Sequence, residues 1–178
     1  MSVPVFEGGS DANVEVDTLH GGRMDSGIVA RRSSYLDRYV QVGVADGRVI
    51  SVAFPETPDE EAVEGEDGEN PVVDRVFAYL EGVEDDFDDV DIALTVPTDQ
   101  RAVLEAVREI PYGEQVRVEA LVRMAAGLDP DDTADVDTAR TALAENPVPL
   151  LIPDHRVRDG PSAAPPPVEQ KLRSLEGL

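Results

Sequence analysis

The sequence predicts two folded parts, an α/β N-terminal domain followed by a mainly helical C-terminal domain. Two runs of alternating apolar residues flank Asp46-Gly47 and predict a β-hairpin. After Pro97 the apolar residues adopt helical spacing, and three short helices lead into an apolar stretch. This order is typical of a winged helix-turn-helix, although a plain helical bundle would give a similar pattern. We place a partly ordered lead-in at residues 1–34, the α/β domain at 35–96 and the helical domain at 97–178.

Composition restricts both the surroundings and the chemistry of the chain. Of its 178 residues, 41% are hydrophobic, which is typical of a globular protein. The 38 acids and 15 bases give a net charge of −23, and Lys171 is the one lysine. We interpret this acidity first as adaptation to a salt-loaded cytoplasm, with an acidic binding surface as the alternative. No apolar run reaches the ~20 residues that a membrane span needs, so we expect a cytoplasmic monomer that does not contact membranes.

The absence of cysteine excludes several kinds of site at once. The chain contains no cysteine, so it has no disulfide, no thiolate nucleophile and no thiolate metal site. We expect neither a metal ion nor a cofactor. The acidity is also uneven, with a charge of −18 over residues 1–100 and −5 over residues 101–178. A site for an anionic partner is therefore expected in the second half.

The N-terminal elements follow from local patterns. Residues 39–54 form the predicted hairpin, and residues 72–81 have the apolar spacing of a helix. The acid-rich segments between and after these elements are expected to be solvated loops. Residues 90–96 are predicted to form a last strand before Pro97.

The C-terminal elements are predicted as three helices and a strand. The first helix runs from Thr98 or Asp99 to Ile110, the second spans residues 118–126 and the third spans about 135–145. The stretch from Asn146 to Val157 holds three prolines, and Leu150 to Ile152 are predicted to form a short buried strand. Asp154 and His155 follow this strand. Such a rigid segment could present an acid and an imidazole for catalysis, or it could be an ordinary buried strand that ends in a polar loop.

Several motifs in this half resemble the methylated-DNA–protein-cysteine methyltransferase family. The matching residues are Ile110-Pro111-Tyr112-Gly113-Glu114, Asn146-Pro147-Val148-Pro149 and Ile152-Pro153-Asp154-His155-Arg156-Val157, with a looser match at Leu175-Glu176-Gly177. The resemblance implies a ribonuclease-H-like N-terminal domain and a winged helix-turn-helix C-terminal domain. It also implies repair of guanine alkylated on its exocyclic oxygen, after the base is flipped out of the duplex into a pocket.

The resemblance assigns roles to individual residues and exposes departures from the family pattern. Asp154 stands at the position of the acceptor cysteine, while His155, Asn146 and Glu176 match the family's activating His, its Asn and its Glu. Asp137 stands where the family has the arginine that fills the gap left by the base. The implied base pocket is formed by Val118, Leu143, Pro149 and Val157, with Val118 replacing a tyrosine. The loop that closes the pocket, residues 161–167, is short and has no aromatic residue.

These departures leave several functions open. A carboxylate is a much weaker nucleophile toward carbon than a thiolate, so we do not expect an alkyl-accepting enzyme. An Asp154–His155–Glu176 relay for hydrolysis is an alternative, as is a vestigial pocket in which these residues only form hydrogen bonds. Alkyltransferase-like proteins lack the cysteine and still bind damaged bases. The resemblance to them implies two partners for this chain, double-stranded DNA with alkylated guanine and a repair-pathway protein. Arg140 and Arg156 are the candidate DNA contacts, and a scaffold for protein interaction is the alternative function.

Overall fold

The N-terminal part is built on a four-stranded mixed sheet. The computed structural model describes residues 26–64 and 70–178. The strands β1 (Gly27–Ser33), β2 (Arg38–Ala45), β3 (Arg48–Ala53) and β4 (Ala62–Glu64) lie in the order β3-β2-β1-β4. The first three strands are antiparallel, and β4 pairs with β1 in parallel. The predicted hairpin is confirmed, because β2 and β3 are joined at Asp46-Gly47, where both residues have positive φ.

Strand β1 corrects the predicted lead-in. Residues 27–33 were assigned to the partly ordered segment, but they pair with β2 along their whole length. Their sequence lacks a clear alternation of apolar and polar residues, and the pairing depends on β2 and β4 on either side. The remainder of the predicted lead-in, residues 1–25, lies outside the described residues.

Helix α1 (Pro71–Leu80) confirms the prediction for residues 72–81. The Asn70 side chain caps it by accepting hydrogen bonds from Val72 N (2.9 Å) and Val73 N (3.1 Å). Its buried face includes Val76 and Tyr79. The helix therefore presents a buried phenol toward the C-terminal part of the chain.

The strand predicted over residues 90–96 is wrong. A single bridge between Val49 and Ile92 is formed there, with Ala93 N donating to Val49 O at 2.9 Å. Farther along the same edge of β3, Val52 N donates to Pro147 O at 2.9 Å. Because another segment of the chain occupies this part of the edge, the ladder cannot extend through residue 96.

The C-terminal part consists of helices α2 (Thr98–Val107), α3 (Val118–Met124), α4 (Thr133–Ala144) and α5 (Pro166–Glu176). The predicted α/β domain and mainly helical domain are thereby confirmed in outline. Helix α2 ends in a turn before Ile110, slightly earlier than predicted. None of the helices in residues 26–64 and 70–178 is long and apolar enough to cross a membrane.

The strand predicted at residues 150–152 is also wrong. Leu150 has a φ of 80°, which is incompatible with an extended strand, and Ile152 N donates to Val148 O at 2.9 Å. The prolines and this left-handed residue produce a tight, buried turn, followed by a single 3-10 turn over Asp154–Arg156. Val157 then forms an isolated bridge with Val116. The stretch from Asn146 to Val157 therefore contains a buried turn in place of the predicted strand.

The hairpin turn provides a test of this fold. Gly47 has a φ of 76°, so we expect Gly47→Ala to lower the free energy of unfolding by about 1 kcal/mol, because a Cβ is strained at positive φ. Asp46→Gly is the matched control, since its φ of 52° is also left-handed and glycine accepts it. Chemical denaturation of the three proteins measures the difference. Equal stability of Gly47→Ala and the original chain would contradict the turn conformation.

Candidate functional site

A buried carboxylate organises the site. Glu176, the last residue of α5, accepts hydrogen bonds at Oε1 from Arg156 Nε (2.8 Å) and Gly113 N (3.0 Å). Its Oε2 accepts from Arg156 Nη2 (3.0 Å), from His155 Nε2 (2.8 Å) and from the Tyr79 hydroxyl. These donors come from α1, the loop after α2 and the 3-10 turn. One side chain thus connects the N-terminal and C-terminal parts.

Arg156 is a structural partner of Glu176 and not a DNA contact. Its side chain is 2% exposed, and Nη1 donates to Ile110 O (2.6 Å) and Asp86 Oδ1 (3.0 Å). With the two bonds to Glu176, all three of its nitrogens are used inside the protein. The prediction that Arg156 contacts DNA does not fit this burial, because a guanidinium in a buried ion pair cannot reach a phosphate.

The local charges explain the ionisation of the cluster. Burial alone would raise the pKa of Glu176, but hydrogen bonds from His155 and Arg156 outweigh it and hold the pKa at about 2. Burial raises the pKa of Tyr79, and the neighbouring Glu176 carboxylate raises it further. The phenol therefore remains a hydrogen-bond donor at neutral pH.

His155 is oriented by the same carboxylate. The bond from Nε2 to Glu176 places a ring hydrogen on Nε2, and Tyr79 Oη lies 3.3 Å from the same nitrogen. The backbone carbonyl of His155 accepts from Arg173 Nη1 at 2.7 Å. Nδ1 is buried and has no hydrogen-bond partner among the described residues. The His–Glu pair implied by the resemblance is thus assembled, with an unpartnered ring nitrogen on its other side.

Asp154 belongs to a different set of contacts. Its side chain is buried, with Oδ1 accepting from Ser162 Oγ (2.6 Å) and Oδ2 from Ala163 N (2.9 Å) and Asn146 Nδ2 (3.1 Å). Burial raises the pKa of Asp154, and the bonds from Ser162 and Ala163 oppose that rise. No hydrogen bond joins Asp154 to the His155 ring in the described chain, so the hydrolytic relay suggested by the sequence is not formed.

Asn146 orders the turn that carries Asp154. Its Nδ2 also donates to Ile152 O (3.0 Å), and its Oδ1 accepts from Val148 N (2.9 Å). Both ends of the amide are therefore committed to the backbone of the turn and to the Asp154 carboxylate. Asn146 positions the residue at the acceptor position and has no free polar atom to offer a ligand.

The implied base pocket is filled by the chain itself. Val118, Leu143, Pro149 and Val157 are all buried. Residues 158–165, which we call the closing loop and which overlap the loop predicted at residues 161–167, pass close to Val118, Leu143 and Val157 at Gly160. A Cβ added to Gly160 would lie 2.8 Å from Leu143 Cδ1 and 2.9 Å from Val118 Cγ2. A side chain at position 160 would therefore require Leu143 and Val118 to shift, because the backbone of Gly160 already lies close against them.

The two residues predicted at the DNA-reading helix take different positions. Asp137 is exposed on α4. Arg140 Nη1 donates to the carbonyl oxygen of Asp159 in the closing loop at 3.0 Å. Asp159 Oδ1 in turn accepts from Val118 N, at the start of α3, at 2.7 Å. Arg140 is therefore exposed on α4 while one of its nitrogens is bonded to the closing loop.

Sequence reasoning missed several members of this site. Tyr79 lies on the apolar face of α1, where a phenol has the same spacing as an ordinary core residue. Its hydroxyl was the one available signal, because a buried phenol needs a polar partner. Asp86 and Gly113 act through contacts between distant segments, and Ser162 and Ala163 contact Asp154 through the folding back of the loop; a local pattern reveals none of these contacts. In the part of the chain that the structure describes, no group of three or more His, Asp or Glu could hold a metal ion.

Comparison with known proteins identifies the class to which this fold and site belong. The family model for the DNA-binding domain of 6-O-methylguanine DNA methyltransferase matches residues 98–170. The methylated-DNA–protein-cysteine methyltransferase of Methanopyrus kandleri is 36% identical over 100 residues, which are 55% of this chain and 71% of the relative. The protein of the same name from Metallosphaera sedula is 34% identical over 100 residues, 55% of this chain and 60% of that protein.

The fold agrees with a solved structure. The Mycobacterium tuberculosis OGT crystallised in complex with DNA superposes with a TM-score of 0.61 over 83% of this chain and 92% of that one, at 19% identity. The chain belongs to the methylated-DNA–protein-cysteine methyltransferase family. It is a member without any cysteine, as the motif resemblance predicted.

The Glu176 cluster predicts a pH-dependent stability. A carboxylate whose folded pKa is about 2 instead of 4.5 stabilises the fold above pH 4.5, and this contribution is lost as the pH falls toward 2. We expect Glu176→Gln to lower the free energy of unfolding at pH 7 by ~3 kcal/mol or more, because the buried Arg156 then keeps only the partly exposed Asp86 as a counter-charge.

The difference between the original chain and Glu176→Gln should shrink as the pH falls from 5 to 3, as measured by urea denaturation at each pH. The exposed Glu119→Gln is the control and should show no comparable difference. A constant difference from pH 7 to pH 3 would contradict the lowered pKa of Glu176.

Proposed function

We propose that this protein is a non-catalytic member of its family that recognises alkylated guanine in double-stranded DNA. The observation that carries the proposal is the ordered stretch from Asn146 to Val157, which retains a Glu176-bound His155 beside Asp154 at the acceptor position. The fold is similar to that of a protein crystallised with DNA, and two residues of the implied base pocket, Leu143 and Val157, lie next to this stretch or in it. A site of this kind that lacks its thiol can still recognise the alkylated base but cannot accept the alkyl group.

The chemistry of Asp154 argues against alkyl transfer. Its two carboxylate oxygens accept three hydrogen bonds, which lower their nucleophilicity further. An alkyl ester formed there would also interrupt these bonds and would be open to hydrolysis. Without a cysteine elsewhere in the chain, no other thiol can accept the group.

The DNA-facing surface in this proposal is formed by α3 and α4 as the helix-turn-helix, with a ribonuclease-H-like domain on the N-terminal side. The first turns of α4 carry Asp132, Asp135 and Asp137, which oppose a polyanion. In concentrated salt the counterion-release contribution to affinity is small, so an acidic protein can rely on shape and base contacts. We accordingly propose a salt-adapted monomer that binds the damaged base in DNA and then passes the site to a repair-pathway protein.

A scaffold for protein contacts is the second candidate function. It is favoured by the closing loop, whose Gly160 occupies the implied base pocket, and by the exposed Asp137 at the position of the gap-filling arginine. On this alternative the fold persists without DNA recognition. A complex pulled from extract that survives nuclease treatment would support it.

DNA recognition predicts a preference for the lesion. In fluorescence anisotropy with concentrated KCl, we expect a duplex containing one O6-methylguanine to bind at least ~10-fold more tightly than the same duplex with guanine, because an unstacked, damaged base costs less to flip. Equal affinity for the two duplexes would overturn the proposed function in favour of the scaffold.

A pair of charge reversals tests which face binds. Asp137→Arg places a cation on α4 and should raise duplex affinity by roughly 3- to 10-fold at moderate salt. Asp99→Arg is the matched control, because Asp99 lies in the first turn of α2. An equal gain from both variants would show a general charge effect and would contradict the assignment of α4 to the DNA face.

The absence of transfer chemistry gives a further prediction. After incubation with excess O6-methylguanine duplex, intact-mass spectrometry should show no added methyl group, because the acceptor is a hydrogen-bonded carboxylate. A mass increase of one methyl group that Asp154→Asn abolishes would overturn the non-catalytic assignment. Asp131→Asn, an exposed substitution in the same domain, is the control for nonspecific alkylation.

A further inference from the structure

The closing loop is held in the base pocket from three sides. The Asp154 carboxylate accepts hydrogen bonds from the Ser162 hydroxyl and the Ala163 amide of the loop. The Arg140 side chain on α4 donates to the carbonyl oxygen of Asp159. The Asp159 carboxylate makes the third contact by accepting a hydrogen bond from Val118 N, the first residue of α3. Within the loop, Ala164 N donates to Ser162 Oγ at 3.1 Å, so Ser162 bonds both to Asp154 and to the next part of the loop.

We propose that Asp154 is the latch of this loop, so that the acceptor position has changed from a reactive group into an autoinhibitory contact. The carboxylate holds residues 158–165 down over Val118, Leu143 and Val157, and a ligand reaches the pocket only after its bonds to Ser162 and Ala163 break. The latch is a property of the free protein. Only the identity of the displacing ligand, a flipped alkylated base, rests on the proposed function.

The residue type at position 154 suits this role. Two carboxylate oxygens can accept several hydrogen bonds at once, and here they accept from a hydroxyl, a backbone amide and a side-chain amide. A thiol at this position would be a weak acceptor and could not replace these three bonds. The burial of Asp154 requires that its oxygens be satisfied, and the closing loop supplies two of the three donors.

Gly160 is the part of the loop that blocks the pocket. A Cβ built on it would meet Leu143 at 2.8 Å, Val118 at 2.9 Å and Val157 at 3.2 Å. These are the residues that line the implied base pocket. The backbone of the loop and a base therefore cannot occupy this space together, and opening of the latch must precede binding.

Amide hydrogen exchange measured by NMR tests the latch. In each variant, the amide that is followed has an acceptor that the substitution leaves unchanged. In Asp154→Ala the informative amide is Ala164, whose acceptor Ser162 is unchanged. In Ser162→Ala it is Ala163, whose acceptor Asp154 is unchanged. We expect each amide to lose protection at least ~10-fold, because the bonds hold the loop as one unit. The Leu143 amide within α4 reports whether the protein stays folded.

Asp154→Asn and Asp131→Asn are the matched controls. Asn keeps one oxygen acceptor at position 154 and should retain more protection than Ala, whereas the exposed Asp131→Asn should change nothing in the loop. Unchanged protection of Ala164 in Asp154→Ala and of Ala163 in Ser162→Ala would overturn the latch. If Asp154→Ala loses protection throughout α4, Ser162→Ala decides the question.

The lesion-binding arm separates this inference from the proposed function. With both correct, Ser162→Ala should bind an O6-methylguanine duplex several-fold more tightly than the original chain, because less work is needed to open the loop. Loss of loop protection with no measurable lesion binding by any variant would overturn the proposed function and leave the latch supported. Gain of lesion affinity with unchanged loop protection would overturn the latch.

Discussion

The buried carboxylate of Glu176 is the constraint on which the rest of the structure depends. It balances the charge of Arg156, whose side chain is buried, and it sets the orientation of the His155 ring. An ion pair in the interior is stable only when every donor and acceptor is satisfied. The elements that supply the partners, from α1 to α5, are therefore held in one arrangement.

Neighbouring residues of the 3-10 turn serve two separate sets of contacts. His155 faces Glu176 and Tyr79, whereas Asp154 faces Asn146 and the closing loop. Because of this separation, the residue at position 154 is not a hydrogen-bond partner within the Glu176 cluster. The fold does not depend on a thiol at position 154, because the neighbours of Asp154 are donors that satisfy a carboxylate.

Local patterns predicted the elements whose signals are local. The hairpin at Asp46-Gly47, helix α1 and the three helices after Pro97 follow from turn chemistry and apolar spacing, and the structure contains them. Strand β1 was missed because its pairing partners, and not its own pattern, make it a strand. The turn at Leu150 was mistaken for a strand because a positive φ at a leucine leaves no trace in hydrophobicity. The His155–Glu176 pair was found through family resemblance alone, while the role of Tyr79 depends on contacts with residues far away in the chain.

The position of Tyr79 affects which fragment of this chain could be stable on its own. The segment that the family model matches, residues 98–170, contains Arg156 and His155 but neither Tyr79, Asp86 nor Glu176. A fragment cut at those limits would keep a buried guanidinium and lose both carboxylates that neutralise it. The segment that the family model matches is therefore shorter than the set of elements joined by the Glu176 cluster, which extends from α1 to the last turn of α5.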